Sequence, residues 1–191
     1  KASVSGSGDN YSTFTGRSND ARTSQGQTSF ALFEGTTDYG EVLICDGANK
    51  PFFFKMTGTG ALADRTFFAG EITVDSTTAP TVGAIHENHF VVGGAPTAKN
   101  TVYYSSSLDP DSFSGSGAGS IQLTDAVVGL ASFRSDLIIF CKNSIFKLIN
   151  ISDSSNIAVV PITRNVGCLD GNSIQEIGGD LLFLSPDGVR T

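Results

Sequence analysis

The two histidines of the chain are its first candidates for chemistry, because imidazole serves both as a general base and as a metal ligand. His86 and His89 are the only histidines in the sequence. At a spacing of three along one strand, their side chains are expected to point to opposite faces. A His-x-x-His zinc pair also needs further ligands, and no Cys or other His lies nearby. We therefore interpret both as turn and rim residues.

Nucleophile and phosphate-loop motifs are absent from the sequence. Serine is abundant, which leaves a Ser-His-Asp triad open, but there is no G-x-S-x-G elbow to single out a nucleophile. The glycines at Gly115, Gly117 and Gly119 lack the Gly-Lys-Ser/Thr ending of a phosphate loop, and a strand-like Ser-Ile-Gln-Leu sequence follows them. We interpret this run as part of a flexible loop, Ser112–Ser120, that bridges two of the repeated β-units of the chain.

Two acidic loops carry oxygen atoms of the kind that bind calcium, at Asp109-Pro110-Asp111 and at Asp153-Ser154-Ser155-Asn156. Neither matches the D-x-[DN]-x-[DN]-G pattern, so Asx turns are the better interpretation. Ser185-Pro186-Asp187-Gly188 resembles the Asp-box of sialidase propellers, but it lacks the residue between Asp and Gly and the later aromatic. We predict no catalytic, cofactor-binding or metal-binding residues, and no enzyme activity.

The cysteines support the same view. Cys45, Cys141 and Cys168 form no C-x-x-C motif, and an odd number excludes a complete set of disulfides. Cys45 and Cys141 each end an apolar run, which predicts small, buried, apolar side chains. This suits a protein that folds in a reducing cytoplasm.

Composition indicates strands joined by tight turns. The 191 residues include 22 Gly and 14 Phe, no Trp, and a net charge of −7. The Gly, Ser, Thr, Phe and Val content favours β-structure, and an acidic chain repels phosphate backbones, so sequence-specific nucleic-acid binding is disfavoured. The longest apolar runs are about five residues, far short of the roughly 20 in a membrane span. We expect no membrane span.

Four apolar anchor runs recur along the chain. Their first apolar residues are at positions 42, 90, 137 and 181, which gives spacings of 48, 47 and 44. Each anchor is followed by a second predicted strand and preceded by another. The following strands are Phe52–Lys55, Val102–Tyr104, Ile145–Leu148 and Val189–Thr191, and the preceding ones are Phe30–Phe33, Val82–Ile85, Val128–Ser132 and Ser173–Ile177.

Turn residues separate these predicted strands. Asp46-Gly47, Lys142-Asn143 and Asp187-Gly188 follow three of the anchors, and such residues tolerate the positive φ of tight hairpins. Each unit therefore reads as strand, turn, strand, turn, strand and a longer loop. Meander units of 44–48 residues predict an all-β protein with propeller-like blades, and a β-sandwich is the alternative.

Parts of the chain fall outside this repeat. Residues 1–28 are rich in Gly and Ser and predict a polar arm or linker, so the blade-repeat domain is expected over residues 29–191. Residues 57–80 leave an outer strand open, at Phe67–Ala69 or Ile72–Val74. The last unit stops within a predicted strand, and we expect the chain to be a fragment of a larger protein.

Three stretches between residues 80 and 191 carry a family resemblance. They are Val102–Phe113, Val128–Phe146 and Gly167–Val189. Together they resemble the propeller-bearing tail nozzle (tail tubular protein B) family of short-tailed bacteriophages. The resemblance implies a virion structural protein, made in the host cytoplasm and located in the tail. Its copies are expected to form a ring, a hexamer, around the DNA exit channel, with adaptor and fibre proteins as partners and non-specific passage of DNA during ejection.

Two other functions remain open from the sequence. One is a receptor- or carbohydrate-binding tail or fibre module, for which Tyr103, Tyr104 and Phe113 would lie on one exposed patch. The other is a propeller glycosidase, which needs two acids facing one cleft.

Overall fold

The computed structural model describes residues 28–33, 41–57, 66–75 and 78–191. Fifteen strands and one short 3₁₀-helix, Gly171–Ser173, lie within this part of the chain. The strands are β1 Ser29–Phe33, β2 Glu41–Cys45, β3 Phe52–Thr57, β4 Thr66–Glu71, β5 Val82–His86, β6 His89–Ala95, β7 Ala98–Tyr104, β8 Gly119–Gln122, β9 Val127–Phe133, β10 Asp136–Cys141, β11 Ile145–Ile149, β12 Ala158–Thr163, β13 Gln175–Ile177, β14 Asp180–Ser185 and β15 Gly188–Arg190.

The strands form four antiparallel sheets in chain order. We name them sheet I (β1–β4), sheet II (β5–β8), sheet III (β9–β12) and sheet IV (β13–β15). Within each sheet every strand pairs with the next one along the chain, so each sheet is a simple meander. The all-β prediction is confirmed, and the four anchor runs are the second strands of the four sheets. Four such sheets are consistent with blades and with a sandwich arrangement.

The alternation of side chains between the two faces of each second strand explains how the sheets stack. In β6, Phe90 and Val92 pack with Leu43 and Cys45 of sheet I, whereas Val91 packs against sheet III. Successive side chains of a strand point to opposite faces, so a continuous apolar run serves two cores at once. Sheets II and III are therefore covered on both faces.

The same alternation continues in the later sheets. Leu137 and Ile139 of β10 face sheet II, while Ile138 and Phe140 pack against Phe183 of β14. Phe140 and Phe183 form a tilted aromatic pair with ring centroids 5.1 Å apart. Three cores in series join the four sheets, one core at each junction.

Tight turns set the hairpins. Glu87 and Asn88 have φ values of 46° and 65°, and Gly178 and Gly179 have 63° and 87°. Positive φ at both central residues is the pattern of a type I′ hairpin turn, whose twist matches that of the strands it joins. These turns open the second strands of sheets II and IV.

The sequence prediction is wrong about the ends of the second and third units. Sheets II and III each have a fourth strand where the prediction has a loop, and the fourth strand of sheet I lies in the segment that the sequence left open. The Ser112–Ser120 run therefore bridges no blades, because it connects β7 to β8 inside sheet II. Of the two outer-strand options for residues 57–80, β4 contains Phe67–Ala69, and Ile72–Val74 lie outside any strand.

Two further predictions concern the N-terminal arm and membrane-spanning helices. The predicted arm at residues 1–28 lies, except for Thr28, outside the described residues. In the part of the chain that the structure describes, no helix has the length and apolar character to cross a membrane.

Candidate functional site

The two histidines flank the β5–β6 turn as direct cross-strand partners. Partners in register project from the same face of a hairpin, so His86 and His89 point to the same side. The expectation of opposite faces is wrong, because it treats the two residues as members of one strand. Both are buried, with 3% and 1% of their surface exposed, and so neither is a rim residue.

Each histidine has a defined hydrogen-bond partner. The Nδ1 atom of His86 lies 2.9 Å from the Ser132 hydroxyl on β9. His89 Nδ1 lies 2.6 Å from the Ser105 carbonyl oxygen. Because a carbonyl oxygen only accepts, His89 Nδ1 carries the proton in this hydrogen bond. The pair links the β5–β6 hairpin to sheet III and to the end of β7.

The serine–histidine contacts do not form a catalytic triad. Ser152 Oγ lies 3.5 Å from His89 Nε2, beyond the roughly 2.6–3.2 Å of a nucleophile–base pair, and it donates to Glu87 Oε2 at 3.0 Å. His86 and Ser132 are close enough, but within the described residues no third group hydrogen-bonds the other His86 nitrogen. The arrangement holds two sheets together.

Because His86 is buried, its protonation at low pH destabilises the folded protein. Desolvation lowers the pKa of His86 below its usual 6.5, and this outweighs the opposite influence of Glu87 and Asp136. The folded pKa is therefore below the unfolded one. The stabilising contribution is complete above about pH 6.5 and is lost as the pH falls through that value towards the folded pKa.

We therefore expect the free energy of unfolding to decrease between pH 7.5 and 5.0, with part of the decrease due to His86. The variant His86→Asn keeps a polar group near Nδ1 but does not titrate, and its stability should vary less with pH over this range. Denaturant titrations at several pH values measure this. An equal slope in both proteins would contradict the assignment, and Glu87→Gln controls for the neighbouring carboxylate.

The acidic residues of the predicted loops lie in turns. Asp153 accepts from the Ser155 amide at 3.0 Å and from Asn156 Nδ2 at 2.7 Å, which confirms the Asx-turn interpretation there. Asp109 lies in a turn, where it forms an isolated β-bridge with Ser106. Asp187 pairs with the Arg190 guanidinium across the β14–β15 turn, and that hydrogen bond holds the pKa of Asp187 well below its usual range.

Asp125 is a residue that the sequence analysis misses. Its carboxylate accepts from the Asn143 amide at 2.7 Å and from the Ser144 hydroxyl at 2.8 Å, and so it clasps the β10–β11 turn. Burial acts to raise the pKa of Asp125, but these bonds and one from the Ala126 amide outweigh it and lower the pKa. An Asp that accepts hydrogen bonds from a turn 18 residues away leaves no local sequence signal.

The aromatic residues do not form the patch that a carbohydrate site needs. Tyr104 is buried in the core between sheets II and III, whereas Tyr103 and Phe113 pack into the core between sheets I and II. The Phe113 ring contacts buried Phe90 with centroids 6.1 Å apart. The expectation of one exposed aromatic surface is wrong, because adjacent residues of a strand point to opposite faces.

An apolar groove of about 580 Å³ lies between sheets III and IV. The residues that line the groove include Phe133, Ile162, Leu181, Phe183 and Arg190. Arg190 is already paired with Asp187. The groove suits an apolar segment of chain better than a reacting substrate.

The three cysteines are free and buried. Burial, reinforced by Asp125, raises the pKa of Cys141 to about 12, and burial also raises that of Cys45, beside Asp46. The reactive species is the thiolate, so these thiols are expected to be inert in the folded protein.

Ellman's reagent tests this expectation. We predict no rapid reaction in the native state and three thiols per chain after unfolding in denaturant. Ser154→Cys, which places a thiol at an exposed position between β11 and β12, is a positive control for native reactivity. A native cysteine that reacts as fast as this control would contradict the packing of the cores.

No protein-family model matches the chain, and a search of curated proteins finds no match.

Proposed function

We propose that this chain is a non-enzymatic structural component of a short-tailed bacteriophage tail, where it contributes to the nozzle ring around the DNA exit channel. One observation carries the proposal. The His and Cys side chains best suited to chemistry are all buried and used in packing, whereas exposed apolar side chains lie on strands of sheets I, III and IV, at Leu32, Ile162 and Val189 among others. That distribution is typical of a protein whose surfaces serve assembly.

The sheet stack supports a mechanical role. Sheets II and III are packed on both faces, and the contacts between sheets join side chains that are almost fully buried. Closely packed interiors have low compressibility and transmit force. A ring through which DNA is driven needs walls of this kind.

Charge supports the same role. The net charge of −7 gives the chain no general attraction for the phosphate backbone. A channel wall that repels phosphate lets DNA slide past without holding it. In this proposal the ring is a hexamer with the tail adaptor and fibres as its neighbours. The resemblance of residues 80–191 to tail nozzle proteins supports that placement.

The receptor-binding alternative loses its main support, since Tyr104 is buried and Tyr103 and Phe113 pack into a different core. No observation on the described residues favours a glycosidase over the structural role.

Labelling by electron microscopy tests the proposal. Gold-conjugated antibodies raised against this chain are applied to intact phage particles and to particles that have ejected their DNA. The proposal predicts label on the tail axis at the distal end or just below the portal adaptor. Label only on peripheral fibres would support receptor binding instead, and label absent from particles would contradict a virion role.

A further inference from the structure

The β5–β6 turn of sheet II meets the β11–β12 loop of sheet III, residues 150–157, at the side chain of His89. His89 Nδ1 donates to the Ser105 carbonyl oxygen at 2.6 Å. Across the ring, Nε2 lies 3.5 Å from the Ser152 hydroxyl, which donates to Glu87 Oε2 at 3.0 Å. These four groups form a row from a carbonyl oxygen, through an imidazole and a hydroxyl, to a carboxylate. We call it the His89 row.

The hydrogen bonds of the His89 row are complete only when the imidazole carries two protons. The Ser105 carbonyl takes the Nδ1 proton, and the ionised Glu87 carboxylate takes the one proton of the Ser152 hydroxyl. Ser152 Oγ then offers only lone pairs to Nε2. An imidazolium donates to that oxygen, whereas a ring protonated on Nδ1 alone does not. The 3.5 Å separation, at the outer limit of a hydrogen bond, fits a ring with no proton on Nε2.

The row also connects a buried ring to the surface. His89 is 1% exposed, whereas Ser152 and Glu87 are exposed. A proton can therefore reach the ring through the Ser152 hydroxyl without separation of the two sheets. A buried charge is costly unless it is paired and hydrogen-bonded, and the carboxylate at the end of the row supplies the opposite charge.

The cross-strand partner, His86, lacks such a row. Its Nδ1 atom lies 2.9 Å from the Ser132 hydroxyl, which can donate to a neutral ring. Burial lowers the pKa of His86 against the influence of Glu87 and Asp136, and a charge on His89 lowers it further. Like charges directly opposite one another also destabilise an antiparallel pair. The two rings are therefore arranged for one proton, on His89, rather than for two.

Charged and titratable groups on the neighbouring elements are engaged elsewhere. Asp136 of β10 pairs with Lys147 of β11 at 3.0 Å. The Asp153 carboxylate, beside Ser152, accepts hydrogen bonds within its own turn. Tyr104 of β7 meets the imidazole ring edge-on, with centroids 6.2 Å apart. Glu87 is thus the carboxylate that is hydrogen-bonded into the row.

We propose that His89, Ser152 and Glu87 form a proton-operated clamp between sheets II and III, in which a proton on His89 Nε2 closes the row and ties the β5–β6 turn to the β11–β12 loop. Histidine ordinarily changes charge between about pH 5 and 8, so the clamp is closed in mildly acidic solution and open in mildly alkaline solution. Its effect is local to the loop, and it does not depend on the tail role. It acts against the overall loss of stability expected from protonation of His86.

Proton–nitrogen correlation spectra of the histidine rings test the clamp, because they show which ring nitrogens carry protons. The chain has two histidines, so the His86→Asn variant assigns both. At about pH 5.5 the folded protein should show His89 protonated on both nitrogens and His86 on one. Ser152→Ala and Glu87→Gln should each weaken proton binding at His89 by at least about threefold. Ser154→Ala, at an exposed position of the same loop, is the matched control and should leave it unchanged.

Hydrogen exchange of the β11–β12 loop gives a second reading, which a purely structural serine would not produce. After correction for the intrinsic effect of pH, the amides of residues 150–157 should be at least about threefold better protected at pH 5.5 than at pH 8.0. Glu87→Gln keeps the shape of the side chain but removes its charge, and it should abolish most of this difference. Both substituted residues are exposed, so folding should persist.

Several results would overturn the clamp. One is a His89 ring that keeps a single proton at pH 5.5, and another is proton binding that is the same in Ser152→Ala, Glu87→Gln and the parent chain. Equal protection of the loop at both pH values would also overturn it. So would loss of the folded spectrum before His89 gains its second proton, because the clamp must close in the folded protein.

Discussion

Replacing Phe90 with Ala is expected to destabilise the protein by about 3–5 kcal/mol, the usual cost of removing a buried phenylalanine. Phe90 is fully buried in the core between sheets I and II, and its ring lies over Gly83, where an added Cβ would come within 2.8 Å of it. It also forms an edge-on pair with Phe113. The surrounding strands are held by their ladders, so we expect little collapse into the cavity.

Denaturant unfolding measures this effect, with Phe30→Ala as the matched control. Phe30 is 66% exposed, and its replacement should change the free energy of unfolding by no more than about 0.5 kcal/mol in dilute, monomeric protein. Equal losses in the two variants would mean that sheet I does not pack on sheet II as the structure has it.

Replacing Gly167 with Ala is expected to cost at least about 2 kcal/mol, because the new methyl group would overlap backbone atoms rather than a movable side chain. An added Cβ at this buried glycine would collide with the Lys142 carbonyl and the Asn143 nitrogen. That turn cannot easily give way, since Asp125 accepts hydrogen bonds from Asn143 and Ser144. The neighbouring bond from the Cys168 amide to the Cys141 carbonyl, 2.9 Å long, would also be disturbed.

Gly117→Ala is the control for this prediction. Gly117 has a φ of +81° and open space around its Cβ position, so only backbone strain of about 1 kcal/mol is expected. Thermal unfolding of both variants gives the comparison. A Gly167→Ala protein as stable as Gly117→Ala would place the loop before Cys168 away from the β10–β11 turn.

The repeat is readable from sequence because it depends on local patterns. Each second strand must supply apolar side chains to two cores, so it appears as an unbroken apolar run such as Leu137–Cys141. The turns that bound these strands need positive φ, and pairs such as Gly178-Gly179 mark them. Three strands of every sheet follow from these two signals.

The fourth strands leave a weaker signal because they lie at sheet edges. β8 has the sequence Gly-Ser-Ile-Gln with alternating partial exposure, and β12 contains Pro161. Proline is tolerated in an edge strand, because the amides on its outer side need not pair with another strand. A sequence that contains proline is nevertheless less readily predicted as a strand. Their pairing with β7 and β11 is a tertiary property.

The placement of polar groups is also only partly predictable. The residue types at His86 and His89 are visible in the sequence, but their shared orientation depends on the turn between them. Ser132, which meets His86, belongs to the next sheet, 46 residues away. Partners this distant are brought together by sheet stacking, and no local pattern encodes them.

Cryo-electron microscopy of the assembled tail is the most direct test of the central claim, that this chain is part of the wall of a ring around the DNA exit channel. The expected result is a six-fold ring on the tail axis whose density accommodates sheets I–IV in order. A density for these sheets at the periphery, or off the axis without rotational symmetry, would contradict it.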